Sequence, residues 1–515
     1  MSNFSIHRKL NENYMKDSNV QMNPNELVQF LKKSPSEFTR NDLIRFCEEN
    51  GIEMINFRYV AEDGRLKTLN FVITSKEHLE TMLTNGERVD GSSLFSFIEA
   101  GSSDLYVVPR YRTAFVNPFA DVPTLDILCS FYNNEGKPLE SDPGYVLRKA
   151  SEEFTRQTGY NFKALGELEY YIISPKEDAF PGEDQKGYHA SEPFAKFEFI
   201  RNEALRLIAK AGGSIKYGHS EVGCFSDEDM YYEQQEIEFL PTSVEEAAEQ
   251  MILAKWILRM LGYRYGVDIS FAPKITVGKA GSGMHFHMML EKDGKNLTAE
   301  NGKLSDLAKK MIAGILSSAD ALTAFGNTIP TSYLRLVPHQ EAPTNVCWGD
   351  RNRSVVIRVP LGWSGAGNMI QDANPQDMSE IPQGVSKQTF EFRVPDGSAD
   401  IYLTLAGLVV TALKGLQMPN ALEIAQKLYV DVNIFKPEFK DKLATLKQLP
   451  VSCYESAEAL EMKREIFEEN HIFPQGLIQS RIAKLKSYND KGLSEKLYGK
   501  NEEIKKLVDQ FIHVG

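Results

Sequence analysis

Three short segments of the chain, residues 166–171, 283–288 and 390–394, carry acidic side chains or histidines at alternating positions. In an extended strand, side chains two positions apart point to the same face and lie roughly 6.6 Å apart. One face of each segment is therefore polar and the other apolar. The polar positions are Glu167, Glu169, His285, His287, Glu391 and Arg393. Because crowded carboxylates repel one another unless cations lie among them, the pattern predicts divalent metal ions.

The type of the predicted metal follows from the ligand types. Further acids at Glu221, Glu233 and Glu236 enlarge the set, and carboxylates with few imidazoles suit Mg²⁺ or Mn²⁺. Zinc is disfavoured because no cysteine is placed to supply a thiolate. A single Glu-x-Glu is usually a solvated edge strand, but the apolar flanks 164–166 and 170–173 argue against an edge here.

A second cluster is basic. Five arginines fall between residues 335 and 393, and some of them are interleaved with the apolar run 355–357. Each alone is typical of a surface ion pair worth under ~1 kcal/mol, but together they predict guanidinium groups that project from a buried sheet. Such groups bind carboxylates and phosphates through two parallel hydrogen bonds. Metals and arginines in one site favour phosphoryl transfer, because its transition state spreads charge over several oxygens.

The bulk composition limits the class of protein. At 515 residues the chain is too long for one ordinary core, so we expect two domains. Its net charge of −13 argues against nucleic-acid and membrane partners. Five scattered cysteines without a CxxC pair, and a polar N-terminus, indicate a reduced, cytoplasmic protein. The longest uncharged apolar run, residues 401–413, is too short to span a bilayer and predicts a buried helix.

The predicted elements fall into three segments. We expect a flexible segment at residues 1–25, a small mixed domain at 26–140 and a large domain at 141–515. The small domain would contain a β-hairpin over residues 53–74 and a strand over 124–132.

In the large domain, the clearest helix runs from Ser243 to Leu261. Ser243 and Glu246 form a capping box, and Gly262 supplies a stop. Two long polar loops, 175–193 and 361–387, are typical of lids or subunit contacts.

The motifs taken together resemble the glutamine synthetase family, type I. They are DGSS at 90–93, GELEYY at 166–171, GSGMHFH at 281–287, RLVPHQEAP at 335–343, NRSVVIRVP at 352–360 and FEFRVPDGSAD at 390–400. The resemblance implies an α+β fold, with a small N-terminal β-grasp domain and a large C-terminal catalytic domain on a curved antiparallel sheet. It also implies a dodecamer of two stacked hexameric rings, with each active site between neighbouring subunits.

The resemblance further implies ATP and two or more Mg²⁺ or Mn²⁺ ions as cofactors. One metal ion would bind Glu169, Glu221 and Glu236, and the other would bind Glu167, His285 and Glu391 and bridge the nucleotide phosphates. The nucleotide and phosphate side would include His287, Arg353, Arg358 and Lys387. The interval between Glu221 and Glu236 is about twice the usual one, so Glu233 stays open as an alternative to Glu236.

The same resemblance implies a site for glutamate and ammonium. The positions that bind glutamate would be Arg335, Arg393 and the main chain of Gly281. Glu341 matches an acid on a flap that closes over an acyl phosphate and keeps water out. Asp90 of a neighbouring subunit matches the acid that deprotonates ammonium, with Ser93 and Tyr188 nearby.

The chain departs from the family pattern on the nucleotide side. A usual asparagine is Ala280, a usual serine is Met289, and a usual phosphate-binding arginine is Thr389, for which Lys387 could substitute. These changes lead us to expect weaker nucleotide contacts.

Three functions remain open. The first is ATP-dependent ligation of ammonia to the γ-carboxylate of glutamate through γ-glutamyl phosphate, giving glutamine, ADP and phosphate. The second is a γ-glutamyl ligase that uses an organic amine or polyamine, and the third is a non-catalytic, assembly-forming relative. Asp90, Tyr188 and Glu341 together favour ammonia, and the filled metal positions argue against the third function.

Overall fold

The computed structural model describes residues 20–98, 103–337, 342–360, 362, 369–379, 387–431 and 444–515. Within these residues, two large β-sheets each pack against a separate hydrophobic core. The first sheet is built from residues 54–132 and the second from residues 161–392, so the chain completes one sheet before it begins the other.

The first sheet contains the predicted hairpin. Its strands are β1 (Met54–Val60), β2 (Leu66–Val72), β3 (Glu87–Asp90), β4 (Asp104–Pro109), β5 (Phe115–Val116) and β6 (Thr124–Tyr132). They lie in the order β2-β1-β6-β4-β3, and β5 pairs with β6. Helices α1 (Glu26–Leu31), α2 (Arg40–Asn50) and α3 (Lys76–Asn85) bury apolar side chains against this sheet. The predictions of a hairpin over 53–74 and a strand over 124–132 are confirmed.

The second sheet carries the polar motifs. Its strands are β7 (Asn161–Pro175), β8 (Ile215–Ser226), β9 (Met230–Phe239), β10 (Thr242–Ser243), β11 (Asp268–Ser270), β12 (Met284–Lys292), β13 (Lys295–Asn296), β16 (Trp348–Asp350), β17 (Ile357–Val359) and β18 (Phe390–Phe392), while β14 (Ala299–Glu300) and β15 (Lys303–Leu304) form a separate ribbon. The main order is β16-β17-β18-β12-β7-β9-β8. Apart from the parallel pair β16–β17, the neighbouring strands are antiparallel.

Most of the remaining helices pack around the core of the second sheet. They are α4 (Pro143–Thr158), α5 (Glu198–Lys210), α6 (Val244–Tyr265), α7 (Asp306–Ser317), α8 (Ala319–Gly326), α9 (Ser332–Arg335), α10 (Met369–Ala373), α11 (Ile401–Gln417), α12 (Ala421–Lys427), α13 (Cys453–Glu468), α14 (Gln475–Ser487), α15 (Leu493–Leu497) and α16 (Asn501–Gln510). Helix α11 is buried along almost its whole length, which confirms the buried helix predicted over 401–413. It crosses α7 where Gly314 and Gly415 bring the two backbones together without room for a side chain.

Two further observations concern the described helices and the cysteines. Among the described residues, no single helix has the length and hydropathy needed to cross a membrane, although α11 and α12, which meet at 111°, pass that test as a bent pair. All five cysteines are buried and free, as expected for reduced thiols.

Helix α6 begins as predicted and ends later. The capping box is confirmed, because Ser243 Oγ accepts from the Glu246 amide and the Glu246 carboxylate accepts from the Ser243 amide. The predicted stop at Gly262 is wrong. The helix continues to Tyr265 and ends at Gly266, whose φ of +69° is left-handed. Gly262 serves packing instead, since a Cβ there would lie 2.8 Å from the carbonyl oxygen of Val267.

Some predictions fall wholly or partly outside what the structure describes. Residues 1–19 of the predicted flexible segment and much of the loop 361–387 lie outside the described residues. The loop 175–193 is described and contains neither helix nor strand after Pro175. The boundaries at residues 25 and 140 stay predictions.

A buried carboxylate joins the two sheets. Glu249 on α6 accepts two hydrogen bonds of 2.7 Å from the guanidinium of Arg112 and another from Arg110, both of which follow β4. The Glu249 side chain is buried and the two arginines are partly exposed. Because a buried carboxylate is stable only when it is paired, this contact fixes how α6 meets the first sheet.

We expect Glu249→Gln to lower the thermal unfolding midpoint by several degrees. The change leaves two guanidinium groups without their carboxylate, and breaking a buried pair in this way costs roughly 3 kcal/mol. Glu245→Gln is the matched control, because Glu245 lies 3.9 Å from Arg112 and is more exposed. Equal midpoints for the two variants, measured by scanning fluorimetry, would contradict the importance of Glu249.

Candidate active site

The register of three neighbouring strands brings the predicted polar residues side by side. On β12, His285 lies opposite Glu167 of β7, and His287 lies opposite Glu391 of β18. Arg358 of β17 lies opposite Glu391 from the other side. The alternate positions Leu168, Phe286, Phe390 and Phe392 are completely buried in the core. The apolar face therefore fixes the register, and the register places the polar groups.

Glu167 is the centre of the first acidic group. Its Oε2 lies 3.0 Å from Nδ1 of His285, and its Oε1 lies 2.8 Å from Nε2 of His287. Glu391, only 1% exposed at its side chain, lies 3.5 Å from His285 and 3.8 Å from His287. Ligand atoms of Glu167, His287 and Glu391 all lie within 4.8 Å of one another, so the three could hold one metal ion.

Electrostatics in this group favour an ionised carboxylate beside charged imidazole. Burial raises the pKa of Glu167, but the imidazoles of His287 and His285 outweigh burial and hold it well below its usual value. Burial lowers the pKa of His287, but Glu167 and Glu391 raise it by more. A divalent ion bound here would neutralise the carboxylates in place of the protons on the imidazoles.

A second acidic group lies on β8 and β9. His219, Glu221 and Glu236 place one ligand atom each within 4.8 Å of the others. Burial raises the pKa of Glu236 well above its usual value, and the nearby carboxylates of Glu167, Glu169 and Glu221 raise it further. Several carboxylates that oppose one another's ionisation fit a site for a divalent cation.

Glu169 lies between the two groups and is held by the glycine-rich segment. Its Oε2 accepts from the amide of Gly283 at 2.7 Å and from Gln234 at 3.2 Å. A side chain at Gly283 would collide with His285 and Arg335, at 2.3 and 2.6 Å from its Cβ. Glycine is therefore required where the backbone passes close to the histidine.

Three arginines surround the first group. Arg358 and Arg393 both bond Glu391, at 3.2 and 2.9 Å. Arg335 is buried beneath His285, and its guanidinium donates to the carbonyl of Val394 at 2.8 Å and lies 3.3 Å from Nε2 of His285. Among the described residues, Nε of Arg358 is buried without a hydrogen-bond partner. The guanidinium of Arg358 therefore retains a free donor at the site.

Most of the other predicted residues lie around the same site. Arg353 is exposed, and its carbonyl accepts from Arg393. The carbonyl of Gly281 accepts from Gln234 at 3.0 Å. Tyr188 packs edge-on against His219, with ring centroids 5.4 Å apart. Lys387 is exposed at the start of a described stretch, and Glu341 lies outside the described residues.

Asp90 and Ser93 are not brought to this site within the described part of one chain. They lie at the end of the edge strand β3 of the first sheet, and Ser93 Oγ donates to Asp90 at 2.7 Å. Hydrogen bonds from Ser93 and Ser92 lower the pKa of Asp90 to about 2. Asp90 is therefore exposed and ionised at neutral pH.

Sequence analysis missed two contributors to the site. His219 was given no role, although it stands two positions before Glu221 and so shares its strand face. Thr389 was treated only as a lost arginine, whereas its hydroxyl lies 2.9 Å from Nδ1 of His287 and orients that ring. The alternative acid Glu233 lies apart from both groups, because its carboxylate accepts hydrogen bonds from Tyr231 and from the backbone amides of residues 196 and 197.

The sequence matches two family models that together cover most of the chain. Residues 140–491 match "Glutamine synthetase, catalytic domain", and residues 51–134 match "Glutamine synthetase, beta-Grasp domain". The chain belongs to the glutamine synthetase family. The family and the α+β fold with a β-grasp unit, which the motifs predicted, are confirmed.

Individual relatives agree with the family. The chain is 31% identical over 430 residues to the glutamine synthetase of Clostridium saccharobutylicum, covering 82% of this chain and 89% of that one. It is 30% identical over 439 residues to the glutamine synthetase of Thermotoga maritima, covering 83% and 92%. These relatives make the chain a ligase of this family.

Solved structures show that the fold is shared. Plasmodium falciparum glutamine synthetase superimposes with a TM-score of 0.71 at 21% identity, covering 90% of this chain and 97% of that one. A ligand-free structure named GmaS gives a TM-score of 0.70 at 18% identity, covering 87% and 97%.

The raised pKa of Glu236 predicts opposite effects of pH on the metal-free and metal-loaded protein. Between the ordinary pKa of glutamate and the raised one, the folded chain holds a proton that the unfolded chain has lost, so the stability of the metal-free protein falls as pH rises. Metal binding requires the ionised carboxylate. We therefore expect Mg²⁺ or Mn²⁺ to raise the thermal midpoint more at about pH 8 than at about pH 6.

Glu236→Gln should reduce this metal-induced shift at the higher pH. Glu228→Gln is the control, because Glu228 is an exposed acid in the turn between β8 and β9. A metal-induced shift that is the same in wild type and in Glu236→Gln would contradict a metal site at this group.

Proposed function

We propose that the protein is an ATP-dependent ligase that joins ammonia to the γ-carboxylate of glutamate. The γ-phosphoryl group of ATP passes to the carboxylate, ammonia attacks the acyl carbon, and phosphate leaves as glutamine forms. The observation that carries the proposal is the single polar face of the second sheet, where two acidic groups lie beside three arginines. Phosphoryl transfer needs this combination of cations around one set of oxygens.

The acidic groups would hold two or more Mg²⁺ or Mn²⁺ ions. In the proposed assignment, one ion binds Glu169, Glu221 and Glu236, and the other binds Glu167, His285 and Glu391. The ions would neutralise charge on the nucleotide phosphates during transfer. His219 stands close to the second acidic group and His287 to the first. Each is close enough to serve as an additional ligand or to orient the carboxylates.

The arginines divide between the two substrates in the proposed site. Arg335 and Arg393, with the main chain of Gly281, would bind glutamate, and buried guanidinium groups suit its carboxylates. Arg353 and Arg358 would face phosphate, and the unpaired Nε of Arg358 supports this role. His287 and Lys387 would lie on the nucleotide side.

Ammonium would enter a site completed by another subunit. Asp90 is charged and exposed on the edge strand β3, so it can reach into a neighbouring chain, with Ser93 beside it. Tyr188 and the flap acid Glu341 complete the proposed set. This arrangement suits the family's dodecamer of two hexameric rings, which we propose for this cytoplasmic protein, with no nucleic-acid or membrane partner.

A second candidate, ligation of an organic amine, has one observation in its favour. Tyr188, His189, His219 and Tyr217 form a continuous aromatic wall beside the second acidic group. Aromatic faces attract alkylammonium ions. We favour ammonia because the proposed site surrounds a small cation with two carboxylates.

Phosphate release in the presence of ATP, Mg²⁺ and glutamate tests the two candidates. We expect turnover with ammonium and at most about a hundredth of that rate with methylamine, ethylamine or putrescine, because carboxylate pairing favours the smaller, more strongly hydrated cation. Glu167→Ala controls for contaminating activity and should be inactive. Faster turnover with an amine would replace the first candidate by the second, and no turnover with any nucleophile would favour a non-catalytic relative.

Asp90→Ala should reduce glutamine formation by about 100-fold or more while glutamate affinity changes little, since the proposed role of Asp90 concerns only the nucleophile. Mixed oligomers of Asp90→Ala and Glu167→Ala chains should recover part of the activity, because some sites would then receive intact residues from both subunits. A loss that consists only of weaker glutamate binding, or no recovery on mixing, would contradict the shared site.

A further inference from the structure

A cavity of about 470 Å³ lies where the two sheets meet, away from the acidic groups. Its walls are the turn between β1 and β2, one face of helix α6, and the end of the chain near His513. The side chains of Arg65, Lys255 and Arg259 line it. Among the described residues that line the cavity, Asp268 is the only acidic one. The charged side chains that line the cavity, apart from His513, are therefore three cations and one acid.

Two of the three cations lie on one stripe of α6. Lys255, Arg259 and Tyr263 are spaced four residues apart and so share a helix face. Like charges at this spacing oppose helix formation. Lys255 is also only 4% exposed, and an isolated ammonium is costly to bury. A negative charge close to Lys255 and Arg259 would therefore stabilise this part of the helix.

Within the described residues, none of the three cations pairs with a carboxylate. Lys255 donates to the carbonyl of Gly397 at 2.8 Å, Arg259 to the carbonyl of Val514 at 2.7 Å, and Arg65 to the carbonyl of His513 at 3.1 Å. These acceptors are neutral, and together they use few of the donors that one lysine and two arginines carry.

The acids near the cluster do not neutralise it. Asp396 favours the charged form of Lys255, but burial and the charge of Arg259 outweigh it. Asp63 bonds Lys67 at 2.6 Å, and Asp268 makes no ion pair with the cavity cations in the described structure. Burial lowers the pKa of Lys255 well below its usual value, and the charges of Arg259 and Arg65 lower it further. Burial and Arg65 likewise lower the pKa of Arg259, to about 10. Neighbouring positive charges thus disfavour the charged forms of Lys255 and Arg259.

We propose that this cavity binds a small oxyanion, the phosphate or carboxylate group of a metabolite, between Arg65, Lys255 and Arg259. Guanidinium groups bind both kinds of oxyanion bidentately, and a buried ammonium adds a point charge. The cavity is large enough for more than a bare ion. Tyr263, 85% exposed at its rim, offers a ring to the rest of such a molecule.

The cavity is connected to the active site by a short stretch of backbone. Gly397, which accepts from Lys255, lies two residues after Pro395, and the carbonyls of Val394 and Pro395 accept from Arg335. Gly397 packs tightly on Phe271, since a Cβ there would lie 2.0 Å from the Phe271 carbonyl oxygen. A ligand that draws Lys255 away from Gly397 would act on the segment that holds Arg335.

Calorimetry with the full-length protein tests the proposal without any turnover, so its outcome is independent of the proposed function. Inorganic phosphate and succinate are the probes, titrated separately into wild type, Arg65→Gln, Arg259→Gln and the control Arg264→Gln. Arg264 lies on the same helix outside the cavity and stacks on Phe119. Anion binding at the active site is common to all four proteins, so the differences report the cavity.

We expect at least one probe to bind wild type and Arg264→Gln with one more site per chain than it shows for either cavity variant, or with about tenfold higher affinity. Loss for phosphate alone would identify a phosphorylated ligand, and loss for succinate alone a carboxylate. Identical isotherms for all four proteins would overturn the proposal. Arg65 is exposed, so Arg65→Gln should fold normally even if Arg259→Gln does not.

Discussion

Mutual repulsion among buried carboxylates is the constraint around which the second sheet is organised. Glu167, Glu169, Glu221, Glu236 and Glu391 project into one region, and two of them, Glu236 and Glu391, are buried. In the chain alone, imidazoles and guanidiniums offset part of this charge on the β12 side, while Glu236 keeps its proton more readily than an ordinary acid. The unequal neutralisation of the two groups gives each a different affinity for protons, and hence a different response to a cation.

Holding such a cluster in place depends on the apolar side of the same strands. Because side chains alternate, a slip of one residue in β12 would move its histidines into the core and its phenylalanine to the site. The complete burial of Phe286, Phe390 and Phe392 makes that slip prohibitive. Glycine at 283 then lets the backbone pass beneath His285 and donate to Glu169. The same strand register therefore fixes both the packing of the apolar side chains and the positions of the polar groups.

The sequence correctly predicted those strands and helix starts that depend on local periodicity. Alternation in 166–171 and 283–288 gave strands with the correct polar face, and the capping box gave the start of α6. Local patterns fail where tertiary contact decides. The predicted helix stop at Gly262 is wrong, because the close approach of this glycine to Val267 is not visible in a local pattern. The cationic cavity likewise depends on tertiary contact, whereas the spacing of His219 and Glu221 on one strand face is a local signal. The place that we propose for Asp90 depends on a second chain, which neither sequence pattern nor a single chain supplies.

The burial of α11 has a consequence for how the protein is made. This helix is apolar on all sides and packs against α4 and α7, but it follows the last strand of the sheet in the chain. A ribosome therefore releases the sheet and its earlier helices before the segment that fills their shared core. Until residue 417 has emerged, the nascent chain exposes apolar surface to its neighbours, and chaperones bind such surface. The order of the elements thus leaves the core of the second sheet incomplete until late in synthesis.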